Sequence, residues 1–328
     1  MAAEPKTVST GIFVCVAVSP PMPMVPTLSV YVAPNVLYGM VVRPGTKGLQ
    51  LDAIAVVPYS GEIPFEHVRD QLGTVAWSEL VVVVESSHAA VAMFPIEPEQ
   101  SSALVREQVE LEIIQQFLST PSQGYTADVF RIGPDVDGCF MAAAVCMMAE
   151  QHALVESIHQ RFGVIPRTTV APVALAAAFT YNYPEQRGRR YALAHVGNQS
   201  VEVLVLENAA LRTWTSVPVQ GSVETALQQA VRHALVAGGD VRTLYLAGIG
   251  LTRQRYQQLV VQFDGRFAEP VALLDGLRML QCAMRAELCR AVAPLGHVLA
   301  PAVGAALQPL YIAPAWSIDT LHTHEAVE

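Results

Sequence analysis

The residues equipped for phosphate or metal chemistry fall in a few short stretches. "AHVGNQS" (194–200) has the small, polar composition of a loop that lets a phosphate approach the backbone. Within it Gly197 and Asn198 follow His195, which stands where such a loop ordinarily needs a carboxylate. The difference is chemical: magnesium is a hard cation that takes oxygen ligands, whereas a neutral imidazole suits borderline metals. "AGIG" (247–250) places Gly248 and Gly250 directly after an apolar run, which reads as a glycine turn at a strand end. "GTKG" (45–48) lacks the upstream glycine pattern and the following Ser or Thr of a phosphate loop, so it reads as a hairpin turn. "VESSHAAV" (84–91) has no G-x-S-x-G elbow, and no Ser, His and acid set is identifiable by spacing.

His152 and His159, like Cys139 and Cys146, stand seven apart. On a helix that is about 10.5 Å of rise, too long for shared metal coordination. The five cysteines are odd in number and contain no C-x-x-C pair, which disfavours a disulfide framework and a zinc site and favours reduced thiols in a cytoplasm. A net charge of −9 argues against a nucleic-acid backbone as partner, because that binding rests on clustered Lys and Arg. "QRGRR" (186–190) reads as a solvated loop. The apolar run "GIFVCVAV" (11–18) is too short to cross a bilayer, "MAAEPK" lacks the basic start of a signal peptide, and residues 1–27 read as a tail. No other segment reads as a membrane span.

The elements that position these residues follow from patterning. β-Branched and alternating runs at 28–33, 36–42 and 49–57, separated by "PN" and "RPGTKG", predict three antiparallel strands. A helix opening at Pro64 then leads to the buried strand "ELVVVV" (79–84). The same order returns with strands at 190–196, 201–207 and 211–217, a helix from Ser222 and a strand at 241–247. Helices at 252–262 and from near Asp275 follow. Two β-β-β-α-β halves point to an internal duplication. Between them lies an inserted α+β subdomain at about 85–165: a strand at 88–94, a helix at 98–118, strands at 125–133 and 139–145, and a helix at 150–162. In its first helix Leu104, Leu111, Ile114 and Leu118 fall at helical spacing and read as the core stripe. A helix at 171–183 bridges to the second half, and the small-residue run 294–310 predicts a tightly packed helix.

This order of elements resembles the actin-like (ribonuclease H-like) two-lobe α/β fold. The echoes "AMFPIEPEQSSALVREQVELEII", "HQRFGVIPRTTVAPVALAAAF" and "YLAGIGL" are similar to type IV pilus assembly proteins of the PilM kind, with more distant likeness to the cytoplasmic part of GspL and to FtsA. The similarity runs from about residue 28 to about 308. It implies a first half at 28–170 that includes the inserted subdomain, and a segment 171–328 holding the bridging helix, the second half and a C-terminal helix that packs on the first half.

The resemblance also implies a nucleotide cleft between the halves, lined by Ala33, Asn35, His195, Gly197, Asn198, Gly248 and Gly250. Actin-like ATPases hold magnesium and phosphates with an Asp-x-Gly turn in each half. Here Tyr31 and Ala33 stand at the first Asp and Gly positions, Tyr38 at a lysine position, and His195 at the second Asp. The expectation is a degenerate site with no catalytic residue and no metal ligand, binding ATP weakly or not at all. The implied role is a cytoplasmic scaffold of a type IV pilus or type II secretion assembly, a pseudo-ATPase held at the inner membrane by its partner. That partner would be the cytoplasmic tail of a single-pass, PilN-like membrane protein, lying in a groove near Val91, Met93, Phe94 and Leu104; homo-oligomers are compatible with this reading. The alternative is a working ATPase or kinase with atypical ligands, using His195 or carboxylates supplied from elsewhere such as Glu202 or Asp240.

Overall fold

The computed structural model describes residues 25–46, 48–97, 100–117, 125–136, 139–312 and 314–319. The first lobe begins with a meander of β1 (Thr27–Ala33), β2 (Val36–Gly45) and β3 (Gly48–Pro58). Every residue of β1 is buried, as expected of a strand covered on both faces. α1 (Phe65–Leu72) starts after Pro64 and buries Phe65, Val68 and Leu72, one helical stripe. It returns the chain to β4 (Glu79–Val84), parallel to β1.

A single 3-10 turn then leads into the inserted unit: β5 (Ala90–Ile96), α2 (Ser102–Phe117), β6 (Tyr125–Val136), β7 (Cys139–Met148) and α3 (Ala149–Phe162). β8 (Arg167–Val170) re-enters the first sheet beside β4, and α4 (Ala171–Asn182) follows. The second lobe repeats the meander with β9 (Arg190–Val196), β10 (Ser200–Glu207) and β11 (Ala210–Pro218). α5 (Val223–Gly238) is capped by Ser222, whose Oγ accepts from Thr225 N at 3.1 Å, and leads to β12 (Leu244–Ala247), parallel to β9. α6 (Arg253–Gln262), β13 (Ala272–Leu273), β14 (Gln281–Cys282), α7 (Ala286–Val292), α8 (Gly296–Tyr311) and β15 (Trp316–Asp319) complete the described elements.

The sheets run β14-β3-β2-β1-β4-β8, β11-β10-β9-β12-β13 and β15-β6-β7-β5. The first two share a core order and the same parallel pairing, which is the repeat expected of the actin-like fold. α4 and α8 pack against each other at backbone distance: a Cβ on Gly304 would lie 1.7 Å from the Ala174 carbonyl oxygen. α8 with α4 covers one face of the first sheet, in one buried cluster with Tyr31, Val81 and Val83.

The third sheet is covered on one face by Val105, Val109 and Ile113 of α2. From its other face Phe130 and Ile132 join the core that includes Leu204, Leu206, Leu211 and Trp214 of the second lobe. β15 pairs with β6, so a segment that follows α8 adds a strand to the inserted sheet.

Several expectations need correction. Residues 275–280 form turns in place of a helix: Asp275 Oδ1 accepts from Leu277 N at 2.9 Å, and Gly276 passes so close to α8 that a Cβ would lie 2.6 Å from Ala300 Cα. The next helix begins at Ala286. Cys139 and Cys146 lie on strand β7, and Cys146 is a buried free thiol. The expectation of reduced cysteines fails at Cys282 and Cys289, whose Cα atoms are 6.0 Å apart and whose sulfurs are bonded. The pairing arises because β14 adds to β3 and α7 turns back beside it, a proximity that cysteine spacing does not report. Finally, Ala286–Tyr311 is long and apolar enough to cross a membrane; here it is α7, a 3-10 turn and α8, and most of α8 is core.

Candidate functional site

Parallel strands of both lobes end toward a common region, the place where open α/β sheets gather ligands. Tyr31 projects from β1, opposite Tyr38 on β2, and the two rings stack at 6.0 Å between centroids. Glu85 directly follows β4. From the second lobe come His195 on β9 and its cross-strand partner Glu202 on β10.

These side chains meet across the lobes. His195 Nδ1 is 2.9 Å from Glu202 Oε2, and its Nε2 is 3.3 Å from Tyr31 Oη and 3.9 Å from Glu85 Oε2. The Tyr31 hydroxyl donates to Glu85 Oε1. Ser216 Oγ approaches Glu202 Oε1 at 3.5 Å from β11. Tyr31, Glu85, His195 and Glu202 are each no more than 3% exposed.

Burial is the largest single influence on His195 and favours the neutral ring, but the charge of Glu85 with the hydrogen bond and charge of Glu202 outweighs it. The imidazole therefore holds its proton above the ordinary histidine range. Burial, then the charge and hydrogen bond of Glu85, raises the Tyr31 phenol well above its usual value. A buried polar set of this kind is stable only when its members satisfy one another, and here both imidazole nitrogens and the phenol are engaged. Water-excluded and internally bonded, the set binds side chain to side chain; it presents no free nucleophile.

The remaining cleft residues surround it. Ala33 is buried at the end of β1, its carbonyl accepting from the Tyr59 hydroxyl at 2.9 Å. Asn35 is an exposed turn residue with φ 67°. Gly197 closes the β9–β10 turn, N–H to Ser200 O at 3.0 Å, and a Cβ on it would lie 3.0 Å from Glu85 Oε2. Asn198 is exposed at the tip. The "AGIG" turn packs onto the end of β9: Cβ atoms on Gly248 (φ 114°) and Gly250 would lie 2.4 Å from Val196 O and 2.6 Å from Gly197 O. Of the two alternative carboxylates, Glu202 is in the network, while Asp240 is exposed beyond α5. Glu85 was missed by sequence reasoning, although an acid closing the run "ELVVVVE" was a usable signal. Among the described residues no cluster of three or more His, Cys, Asp or Glu is arranged to hold a metal ion.

The residues expected at a partner surface separate. β5 is an edge strand, and it carries Pro95, a residue sheets place at edges. The Pro95 carbonyl accepts from Gln108 Nε2 at 3.0 Å, which occupies one end of that edge. Met93 is 49% exposed, and Val91 is half-buried against the interlobe core. Phe94 points the other way and is buried under α2, so it is core and not a contact residue. Leu104 is 52% exposed and Leu111 is exposed too, which corrects their reading as the core stripe; Val105, Val109 and Ile113 take that place, and Leu118 lies outside the described residues.

No protein-family model and no curated protein matches this sequence. Solved structures do. The structure of a PilM-PilN type IV pilus biogenesis complex aligns with a TM-score of 0.67 at 14% identity, covering 88% of this chain and 99% of that one. A Bacteroides thetaiotaomicron protein with an actin-like ATPase fold and unknown function aligns at 0.50 and 14%, covering 76% and 90%. The cytoplasmic domain of EpsL, an inner membrane component of the Vibrio cholerae type II secretion system, aligns at 0.44 and 12%, covering 74% and 99%. The chain has the actin-like fold, and its architecture is similar to that of the pilus protein.

Proposed function

We propose that the protein is an actin-like scaffold of a pilus or secretion assembly that captures the extended cytoplasmic tail of a single-pass, PilN-like membrane protein. It works at the cytoplasmic face of the inner membrane without turning over ATP. The observation that carries this reading is the alignment over nearly the whole chain of a protein solved in a PilM-PilN complex. The open edge of β5 supports it, since an extended segment gains main-chain hydrogen bonds along such an edge and reads side chains at alternate positions. Met93, exposed on that strand, is a soft apolar contact for such a segment.

The nucleotide site is read as degenerate on chemical grounds. Where magnesium and phosphate need oxygen ligands and open space, the chain places the phenol of Tyr31 and the imidazole of His195, with the Glu85 carboxylate against Gly197. A carboxylate beside the turn repels a phosphate. Calorimetry with magnesium ATP is expected to show no site tighter than about millimolar, roughly −4 kcal/mol.

The partner reading is tested with synthetic tails of single-pass proteins encoded beside this chain, titrated by fluorescence anisotropy against wild type, Val91→Asp and Met93→Asp. Met93→Asp is expected to weaken binding at least about tenfold, or 1.4 kcal/mol, with the circular dichroism spectrum unchanged. Equal affinity for every variant, or no binding by any tail, would remove the β5 groove from the reading.

A further inference from the structure

We propose that Tyr31, Glu85, His195 and Glu202 form an interlobe lock, in which the chain's own side chains bridge the two lobes at the strand ends so that closure needs no bound ligand. The inference is independent of the partner reading. Two members come from each lobe, and the contacts that cross are His195 Nε2 to Tyr31 Oη at 3.3 Å and to Glu85 Oε2 at 3.9 Å. Both nitrogens of a buried imidazole need partners. Here Glu202 takes Nδ1 from within the second lobe and thereby aims Nε2 at the first.

Sterics agree with the hydrogen bonds. Glu85 lies so close to Gly197 that a Cβ there would sit 3.0 Å from its Oε2, so the end of β4 and the β9–β10 turn meet in close contact. Among the described residues no Arg or Lys bonds any of the four. Among the described residues His195 is the only basic side chain that meets these two buried carboxylates.

A pH dependence follows. The titratable groups facing His195 are Glu202 on β10, Glu85 after β4 and Tyr31 on β1, with Tyr38 on β2 behind Tyr31; Ser216 on β11 is neutral. The folded-state pKa of His195 is raised, so its contribution is complete below the unfolded value of about 6.5 and is lost as pH rises through the folded value. The lobes are therefore held most firmly at mildly acidic to neutral pH and loosen in alkali, when Glu85 and Glu202 face an uncharged ring.

The test uses the full chain and hydrogen exchange read by mass spectrometry at the ends of β4 and β9. Tyr31→Phe removes one hydroxyl and keeps the ring; His195→Gln removes the cation. Each is expected to speed exchange about tenfold in both lobes at once, the double variant by less than the product of the two. The wild-type urea midpoint is expected to fall between pH 6 and pH 9, with the slope lost in His195→Gln. Magnesium ATP is expected to leave wild-type exchange unchanged. Exchange that rises only in the mutated lobe, a multiplicative double variant, a pH slope that survives His195→Gln, or protection by magnesium ATP would each overturn the lock. If His195→Gln does not fold, Tyr31→Phe alone still decides whether both lobes respond.

Discussion

Gly304→Ala sets two opposing effects against each other in the helix pair that holds the first lobe to its C-terminal helix. In an exposed helix the change would stabilise by about 1 kcal/mol through propensity. Here the new methyl would lie 1.7 Å from the Ala174 carbonyl oxygen, 2.5 Å from its carbon and 3.0 Å from Ala178 N. An ordinary carbon–oxygen contact is about 3.3 Å, so α4 and α8 must part by roughly 1.5 Å. Neither can give locally, because the atoms met are helical backbone and not the end of a flexible side chain. A gap of even 0.5–1 Å forfeits about a quarter to a half of each dispersion contact, and Ala171, Ala174, Ala177, Ala302, Val303 and Ala306 all lie in this packed cluster. Overpacking costs about 1–3 kcal/mol, and this case sits at the upper end, so the net expectation is about 2 kcal/mol of destabilisation. Equilibrium urea unfolding reads it as a lowered midpoint with the m-value retained. A variant of unchanged or raised stability would refute the reasoning, as would rescue by Ala174→Gly, which removes a methyl but leaves the carbonyl in place.

Two further changes test the inserted subdomain and the cysteines. Val109→Asp buries an unpaired carboxylate under the third sheet and is expected to cost more than about 3 kcal/mol, whereas Leu104→Asp, at an exposed position on the same helix, stays within about 0.5 kcal/mol; urea unfolding of the two decides which stripe of α2 is core. Reducing Cys282–Cys289, which closes a loop of sequence separation 7, is expected to cost about 2 kcal/mol. Alkylation of the reduced, native protein should then label both of those cysteines and spare Cys146, whose thiol burial pushes up to about 12; mass mapping checks this.

The elements legible along the chain are those whose signal is local. Continuous β-branched runs made β1 and β4, turn residues separated the meander strands, Pro64 opened α1, and Ser222 and Thr252 capped α5 and α6. Their repeated order carries the resemblance to the actin-like fold. Features that depend on neighbours distant in sequence emerge only in the folded chain. β13, β14 and β15 are two to four residues long and are strands only because a sheet edge receives them. α2 carries apolar residues on more than one face, so helical period left the choice between Leu104 and Val105 to the sheet beneath. The cleft shows the same division: His195, Gly197 and Tyr31 could be marked as lacking the usual ligands, but not as partners of one another. Glu85 follows a strand 110 residues before His195, and no spacing along the chain reports that the folding of two lobes brings their side chains together.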